Sequence, residues 1–247
     1  MAPDGELRRR PDEVIVEEPL AIQLDGVRVA TTMRTPGNDY ELAVGFLHAE
    51  GMLGAAAVTG VRYCADGSAL ESEFNVVTVD TDGLAPEPTP RLGSTSSSCG
   101  LCGSDAIDEL TARLDPLSAD GFDPALLVDI ADRVRASQEL FTKTGAVHAA
   151  ASFSRSGDIV LIREDIGRHN AVDKIVGRMI LDGAMPTPDL GLFVSGRASF
   201  EMIQKAWAGG FGTVIAVSAP SALAVDTAKA AGIQLAGFIR NGEVNIY

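Results

Sequence analysis

Leu190-Gly191-Leu192-Phe193-Val194-Ser195-Gly196-Arg197-Ala198-Ser199 is a short apolar run that stops at a polar, glycine-bearing loop and passes into a helical pattern over Ser199 to Ala208. The same arrangement recurs at Thr213-Val214-Ile215-Ala216-Val217-Ser218-Ala219-Pro220-Ser221, followed by helical spacing from Ser221 to Ala231. A fully apolar run of strand length, bounded by turn residues and answered by a helix, is the pattern of a strand buried on both faces. Two such units in succession predict an α/β layer structure in which ligands gather at the carboxyl ends of the strands.

Working outward, Gln234 to Ile239 reads as a further strand, and Asn241-Gly242 predicts a hairpin into Val244-Asn245-Ile246. Upstream, Ala146 to Phe153 and Ile159 to Arg163 read as strands separated by a Ser156-Gly157 turn. A helix is expected from Arg168 or His169 to Leu181, and another over Pro124 to Phe141, with Leu127, Ile130, Ala131, Val134 and Leu140 on one face. The first part of the chain is β-rich. Val14-Ile15-Val16, Ala21 to Leu24 and Phe74 to Val79 are strand-like, and Asp25-Gly26 signals a hairpin into Val27-Arg28-Val29. Asn38 can cap a helix carrying Leu42, Phe46, Leu47 and Met52, with Glu41 placed for a capping box.

From Asp80 to Gly103 the character changes. Pro86, Pro88 and Pro90 precede Gly93-Ser94-Thr95-Ser96-Ser97-Ser98, the composition of a linker or mobile loop. A short helix is expected over Ala106 to Leu114. The resulting division is a smaller β-rich domain from 1–80 with part of 104–122, a loop over 81–103, and an α/β domain over 123–247.

The formal charge of −14 argues against non-specific nucleic-acid binding, because no favourable counterion release would accompany it. The N-terminus has no apolar core for a secretory signal, and the acids that follow Arg8-Arg9-Arg10 exclude a twin-arginine leader. The longest apolar stretch, roughly Ala206 to Val225, is broken by Gly209, Gly210, Gly212, Ser218, Pro220 and Ser221, so a membrane span is not expected. A cytoplasmic location with reduced thiols is the expectation.

Chemistry concentrates in the loop Ser98-Cys99-Gly100-Leu101-Cys102-Gly103. The C-x-x-C spacing serves thiol or sulfur transfer, gives half of a tetrahedral zinc site, or marks two inert cysteines. Cys64, His48, His148 and His169 form no companion pair at ligand spacing. Glycines on either side favour access, hence a reactive thiol, and the first cysteine of such pairs is usually the exposed nucleophile. That points to Cys99, with Cys102 beside the following helix. A thioredoxin-like oxidoreductase would need a strand before the pair, which the serine run does not supply.

Arg163 to Lys174 packs charged and polar groups at a strand-to-helix junction, where helix N-terminus and donors suit an anion. Six Lys/Arg and six Asp/Glu lie between Arg163 and Lys205, a neutral region in an acidic chain, with Arg168 and Arg197 as expected phosphate partners. His148 after Thr144-Gly145-Ala146-Val147 lacks the Glu that a zinc nucleobase deaminase requires two residues on, where Ala150 stands, so deamination is not supported. A lone strand histidine is more often structural.

Together, Ser98 to Gly103, Gly145 to Ala150, Glu164 to Lys174 and Ser195 to Met202 resemble, in the right order, motifs of the formate dehydrogenase accessory sulfurtransferase family (FdhD), over about Val14 to Tyr247. The resemblance implies a cytidine deaminase-like three-layer α/β/α C-terminal domain without the deaminase zinc, beside the smaller α+β domain. It implies a sulfur carrier that accepts persulfide sulfur from a cysteine desulfurase on Cys99. The sulfur goes to the molybdenum (or tungsten) cofactor bearing two guanine dinucleotides that formate dehydrogenase requires, with no permanent metal. It further implies a homodimer, and a cofactor-binding stretch on Phe238-Ile239-Arg240-Asn241-Gly242-Glu243, joined by Arg168, His169, Ser195, Arg197 and Ser218. Cys102 either releases the sulfur or protects it. The rival function is a chaperone that holds the cofactor for formate dehydrogenase without moving sulfur.

Overall fold

Asp25 and Gly26 take φ of 47° and 85°, the paired positive values of a two-residue hairpin turn, and join β1 (Glu18–Leu24) to β2 (Val27–Arg34). In this computed structural model the described residues are 11–64, 68–87, 103–185, 187–240 and 242–247. β3 (Gly60–Tyr63) and β4 (Val76–Asp80) complete a sheet in the order β2-β1-β4-β3, with β4 parallel to β1. The strand expected at Val14 to Val16 does not form. Those residues belong to neither sheet and instead line a cavity of about 720 Å³ with Arg34, Tyr63 and Phe74.

α1 (Asp39–Ala49) lies under this sheet and is buried along nearly its whole circumference. Its start is where the sequence puts it, but not by the expected cap. Asn38 sits in the left-handed region at φ 57° and its side chain makes no cap hydrogen bond. Glu41, rather than closing a capping box, accepts both Nε and Nη2 of Arg163 at 2.5 and 2.8 Å. The face of α1 opposite the sheet crosses α5 (Arg168–Leu181) at Gly45 and Gly177. A Cβ on Gly45 would overlap the Asp173 carbonyl, and one on Gly177 would overlap that of Glu41, so only glycine permits this approach.

The second sheet runs β10-β9-β8-β7-β5-β6. Its strands are β5 (His148–Phe153), β6 (Ile159–Asp165), β7 (Gly191–Val194), β8 (Thr213–Ala216), β9 (Gln234–Arg240) and β10 (Glu243–Ile246). β7, β8 and β9 are parallel, and β5 and β10 flank them in the antiparallel sense. Alternation decides the layers. Leu192, Val194, Val214, Ala216 and Leu235 point into a core shared with α5, α6 (Phe200–Ala208) and α7 (Ala222–Ala231). Phe193, Ile215 and Ala236 point the other way, onto Leu127, Ile130 and Val134 of α3 (Pro124–Ala136). The result is the expected three-layer α/β/α arrangement beside a smaller α+β unit. α2 (Gly103–Arg113) joins the larger core through Leu110, and Arg113 donates to the Ala49 carbonyl at the end of α1. Among the described residues no helix is long and apolar enough to cross a membrane.

The single helix expected over 124–141 is two. α3 stops at Ala136, Gln138 is extended, and α4 (Glu139–Thr144) begins anew. The break allows Glu164 on β6 to accept the Leu140 and Phe141 amides at 2.8 and 2.9 Å, satisfying donors at the start of α4 that an unbroken helix would have used internally.

Candidate functional site

The carboxyl ends of β7, β8 and β9 and the start of β5 meet at one end of the larger sheet, and their loops are bonded to one another. Val217 N donates to Val194 O at 3.2 Å, Ser218 N to Gly196 O at 3.3 Å, and Ser221 N to Ala198 O at 3.0 Å. β9 then bends toward them. Phe238 takes φ 55°, strained for a residue with a side chain, and its amide donates to the Ser218 carbonyl at 3.3 Å. Ser218 and Phe238, 20 positions apart in sequence, are thereby direct neighbours.

Between these loops and the α3–α4 break lies a cavity of about 570 Å³, with Asp132, Gln138, His148, Ile166, Ser195 and Ile239 in its lining. Ser195 Oγ accepts the Ala149 amide at 2.9 Å and faces His148 Nδ1 at 3.3 Å. Burial, then the nearby charges of Arg168 and His169, push the His148 pKa below 6.5, against the opposing pull of Asp165. These influences favour the neutral imidazole of His148, a polar group in the cavity wall.

The junction expected to bind anions divides in two. Asn170, Asp173 and Lys174 are buried and partnered, which corrects their reading as ligand donors. Lys174 Nζ lies 2.7 Å from Asp165 Oδ2 and donates to Thr35 O at 3.0 Å, while Asn170 Nδ2 donates to Asp165 Oδ1 and to Met33 O. Asp173 accepts Lys205 on both oxygens. These groups bolt the end of β2 and the α1–α5 crossing to the sheet. Arg168, in contrast, begins α5 with its Cδ beside Gly196, and its Nε is buried without a hydrogen-bond partner among the described residues. Ser199 Oγ, at the start of α6, is likewise buried and unpartnered. His169 Nε2 lies 2.6 Å from Glu201 Oε2, and this neighbour lowers the Glu201 pKa despite the cost of burial.

Residues 15–247 match the FdhD/NarQ family. This chain belongs to that family. A sulfur carrier protein FdhD from Streptomyces avermitilis is 48% identical over 256 residues, covering 99% of this chain and 90% of that one. The protein of the same name from Anaeromyxobacter dehalogenans is 44% identical, covering 96% and 86%. A crystal structure of a candidate formate dehydrogenase accessory protein from Desulfotalea psychrophila superposes with a TM-score of 0.73 at 23% identity, covering 95% of this chain and 88% of that one, a likeness of fold.

In this FdhD/NarQ chain, the loops bring Ser195, Ser218, Phe238 and Ile239 together, with Arg168 alongside. Arg197 is exposed on the β7–α6 loop, and His169 turns to Glu201. Gly242, at φ 79°, and Glu243 belong to the β9–β10 reversal, and Glu243 is exposed. Cys99, Cys102 and Asn241 lie outside the described residues, as does the side chain of Arg240. Sequence reasoning missed Gln138, which lines the cavity at the break between α3 and α4, and Asp132, which reaches it from within α3. A polar Ser137-Gln138 pair inside an otherwise apolar-striped helix was the available signal.

Proposed function

We propose that this FdhD/NarQ protein is a sulfurtransferase that carries persulfide sulfur on Cys99 from a cysteine desulfurase to a molybdenum cofactor with two guanine dinucleotides, its substrate, for formate dehydrogenase. The observation that carries this reading is the gathering of three strand-end loops around one cavity, beside two helix N-termini. The unpartnered Arg168 Nε and Ser199 Oγ lie at those helix starts, where phosphate binds well. Relatives over nearly the full length are named sulfur carriers, which supports the sulfur half of the assignment.

The chemistry balances as thiol exchange. The Cys99 thiolate attacks the terminal sulfur of the donor persulfide; the donor's S–S bond breaks, its cysteine leaves as thiolate, and a new S–S bond forms on Cys99. For release, the Cys102 thiolate attacks Cys99 Sγ. The outer sulfur departs with the bonding pair as hydrosulfide to the cofactor, and a Cys99–Cys102 disulfide remains for an external dithiol to reduce. The carrier works as a cytoplasmic homodimer in this scheme.

Intact-protein mass spectrometry after incubation with an active desulfurase and cysteine tests the carrier role. Wild type is expected to gain whole sulfur atoms that a reductant removes, and Cys99→Ala is expected to gain none. No gain in wild type would transfer the assignment to a cofactor chaperone.

A further inference from the structure

Val14, Ile15 and Val16 lead into β1 with the side chains of a strand and no strand to pair with. Ile15 is half-buried between Val14 (83% exposed) and Val16 (54%), the alternation of an extended chain. None of the three makes a backbone hydrogen bond among the described residues. They wall the cavity of about 720 Å³ together with Tyr63, Phe74 and Leu140. Its aromatic side is held against backbone preference. Glu73 and Phe74 take φ of 50° and 57°, in the left-handed region, and Phe74 still stands 44% exposed. Its ring meets Tyr63 edge-on at 5.2 Å between centroids, and Tyr40 meets Tyr63 at 4.9 Å. Exposed valines and aromatics gathered around one concavity, beside open backbone groups, are the surface of a docking site rather than of a solvated face.

Charge selects the occupant. Arg34, the buried cation of the lining, is spent on Glu18 and Asp39. Glu13 and Glu73 are exposed lining residues with no ion pair among the described residues, and the exposed Asp12 and Glu17 flank the valines. A second copy of this strand fits badly, because antiparallel pairing of Val14 with Val16 sets Glu13 against Glu17 and Asp12 against Glu18. We infer that this face receives an extended segment of another protein, with alternating apolar residues between lysines or arginines. The segment adds edge to edge along residues 14–16 and places an apolar side chain against Phe74 and Tyr63. The groove shares no lining residue with the 570 Å³ cavity, but Leu140 lines the one and Phe141 the other. A partner seated here therefore lies against α4, next to the proposed cofactor site and outside it.

The probe is a labelled peptide of alternating valine and threonine with lysines at both ends, titrated with the full chain and followed by fluorescence anisotropy. The control carries glutamates in place of the lysines. The lysine peptide is expected to bind, less tightly as salt is added, and the glutamate peptide to bind ~10-fold more weakly or worse. Phe74→Ala is expected to lose ~10-fold or more, as truncation of an aromatic anchor does. Glu13→Lys, at an exposed position, is expected to narrow the difference between the two peptides. Hydrogen exchange is expected to show the amides of residues 14–16 protected in the wild-type complex, which contact through side chains alone would not produce. Thermal melts matching wild type establish that both variants are folded. Equal binding of the two peptides, binding of neither, wild-type affinity in Phe74→Ala, or unprotected amides at 14–16 overturns the inference. A wild-type dimer that Phe74→Ala or Glu13→Lys dissociates also overturns it, assigning the face to a second copy. Lysine-peptide binding seen only after Arg8, Arg9 and Arg10 are replaced by serine overturns it too, assigning the face to this chain's own N-terminus.

Discussion

Replacing Lys205 with methionine exposes how much the core depends on one ion pair. Asp173 is 1% exposed and accepts Lys205 Nζ at 2.8 and 3.0 Å, with Glu50 Oε1 at 3.9 Å from the same ammonium. Burial alone would disfavour the lysine's charge, but Asp173 and then Glu50 outweigh it and raise the Lys205 pKa above 10.5. Even with that cation present, burial lifts the Asp173 carboxyl from 3.8 to about 6. Without it, Asp173 would face Glu50 with only His169 as a compensating charge, and its pKa would rise further. Breaking a buried pair from one side costs about 3–5 kcal/mol, so a loss of that size is expected near pH 8.

The sign follows from proton counting. Above 3.8 the unfolded chain has released this proton while the native state still holds it, so stability falls as pH rises toward the folded pKa, by up to about 1.4 kcal/mol per pH unit. In wild type that decline ends near pH 6; in Lys205→Met it continues above neutrality. The two proteins should therefore be close in stability at pH 5 and far apart at pH 8. Urea unfolding followed by Trp207, the single tryptophan and 1% exposed, reads the difference. Adding Asp173→Asn to Lys205→Met should restore most of the loss at pH 8. Equal destabilisation at both pH values, or a loss at pH 8 below about 1 kcal/mol, refutes the reasoning.

At the α1–α5 crossing, Gly177→Ala gains about 1 kcal/mol of helix propensity but must push the helices apart; the expected net loss is about 1–3 kcal/mol, and an unchanged urea midpoint would contradict the close packing. His148 should titrate below 6.5 in an NMR experiment, and Arg168→Ala should bring the midpoint back up; a wild-type midpoint at 6.5 or higher would remove the basis for a neutral imidazole. Because that pKa is depressed in the folded state, the associated stability is present above 6.5 and declines as pH falls through the folded value. Cys102→Ala should still load sulfur on Cys99 yet fail to support formate dehydrogenase, and full support by that variant makes a releasing role untenable.

Most of the larger sheet was legible because each strand is short, apolar and followed by a polar loop, and the observed β7, β8 and β9 differ from expectation by one residue at an end. What escaped was set by distant partners. β3 has four residues and no clear alternation, so only its pairing with β4 makes it a strand. The break at Ser137–Gln138 depends on Glu164, which no local window contains. Gly45 and Gly177 each look like a helix-weakening residue, and they make sense only as the two sides of one crossing. The site divides similarly. Loops at strand ends were foreseeable from topology, whereas Gln138 acquires its place from the break. The charges of the long motif were over-read as ligand groups, since charge in sequence does not distinguish a buried framework from an open site.

That framework has a consequence for the cavity. Asp165 is fully buried and takes donors from Lys174, Asn170, Gly167 and Thr35, a set drawn from α5, its preceding loop and the end of β2. Thr35 in turn accepts the Ile166 amide on its hydroxyl at 3.0 Å. Ile166 lines the cavity, so a wall of the candidate site is held directly by Thr35, the residue that follows β2, which is itself tied to the buried Asp165 carboxylate. Such a carboxylate leaves no low-cost intermediate, because withdrawing any one donor strands a buried oxygen or amide. The smaller unit is thus a structural part of the candidate site, and the motif's buried charges are what hold that wall in place.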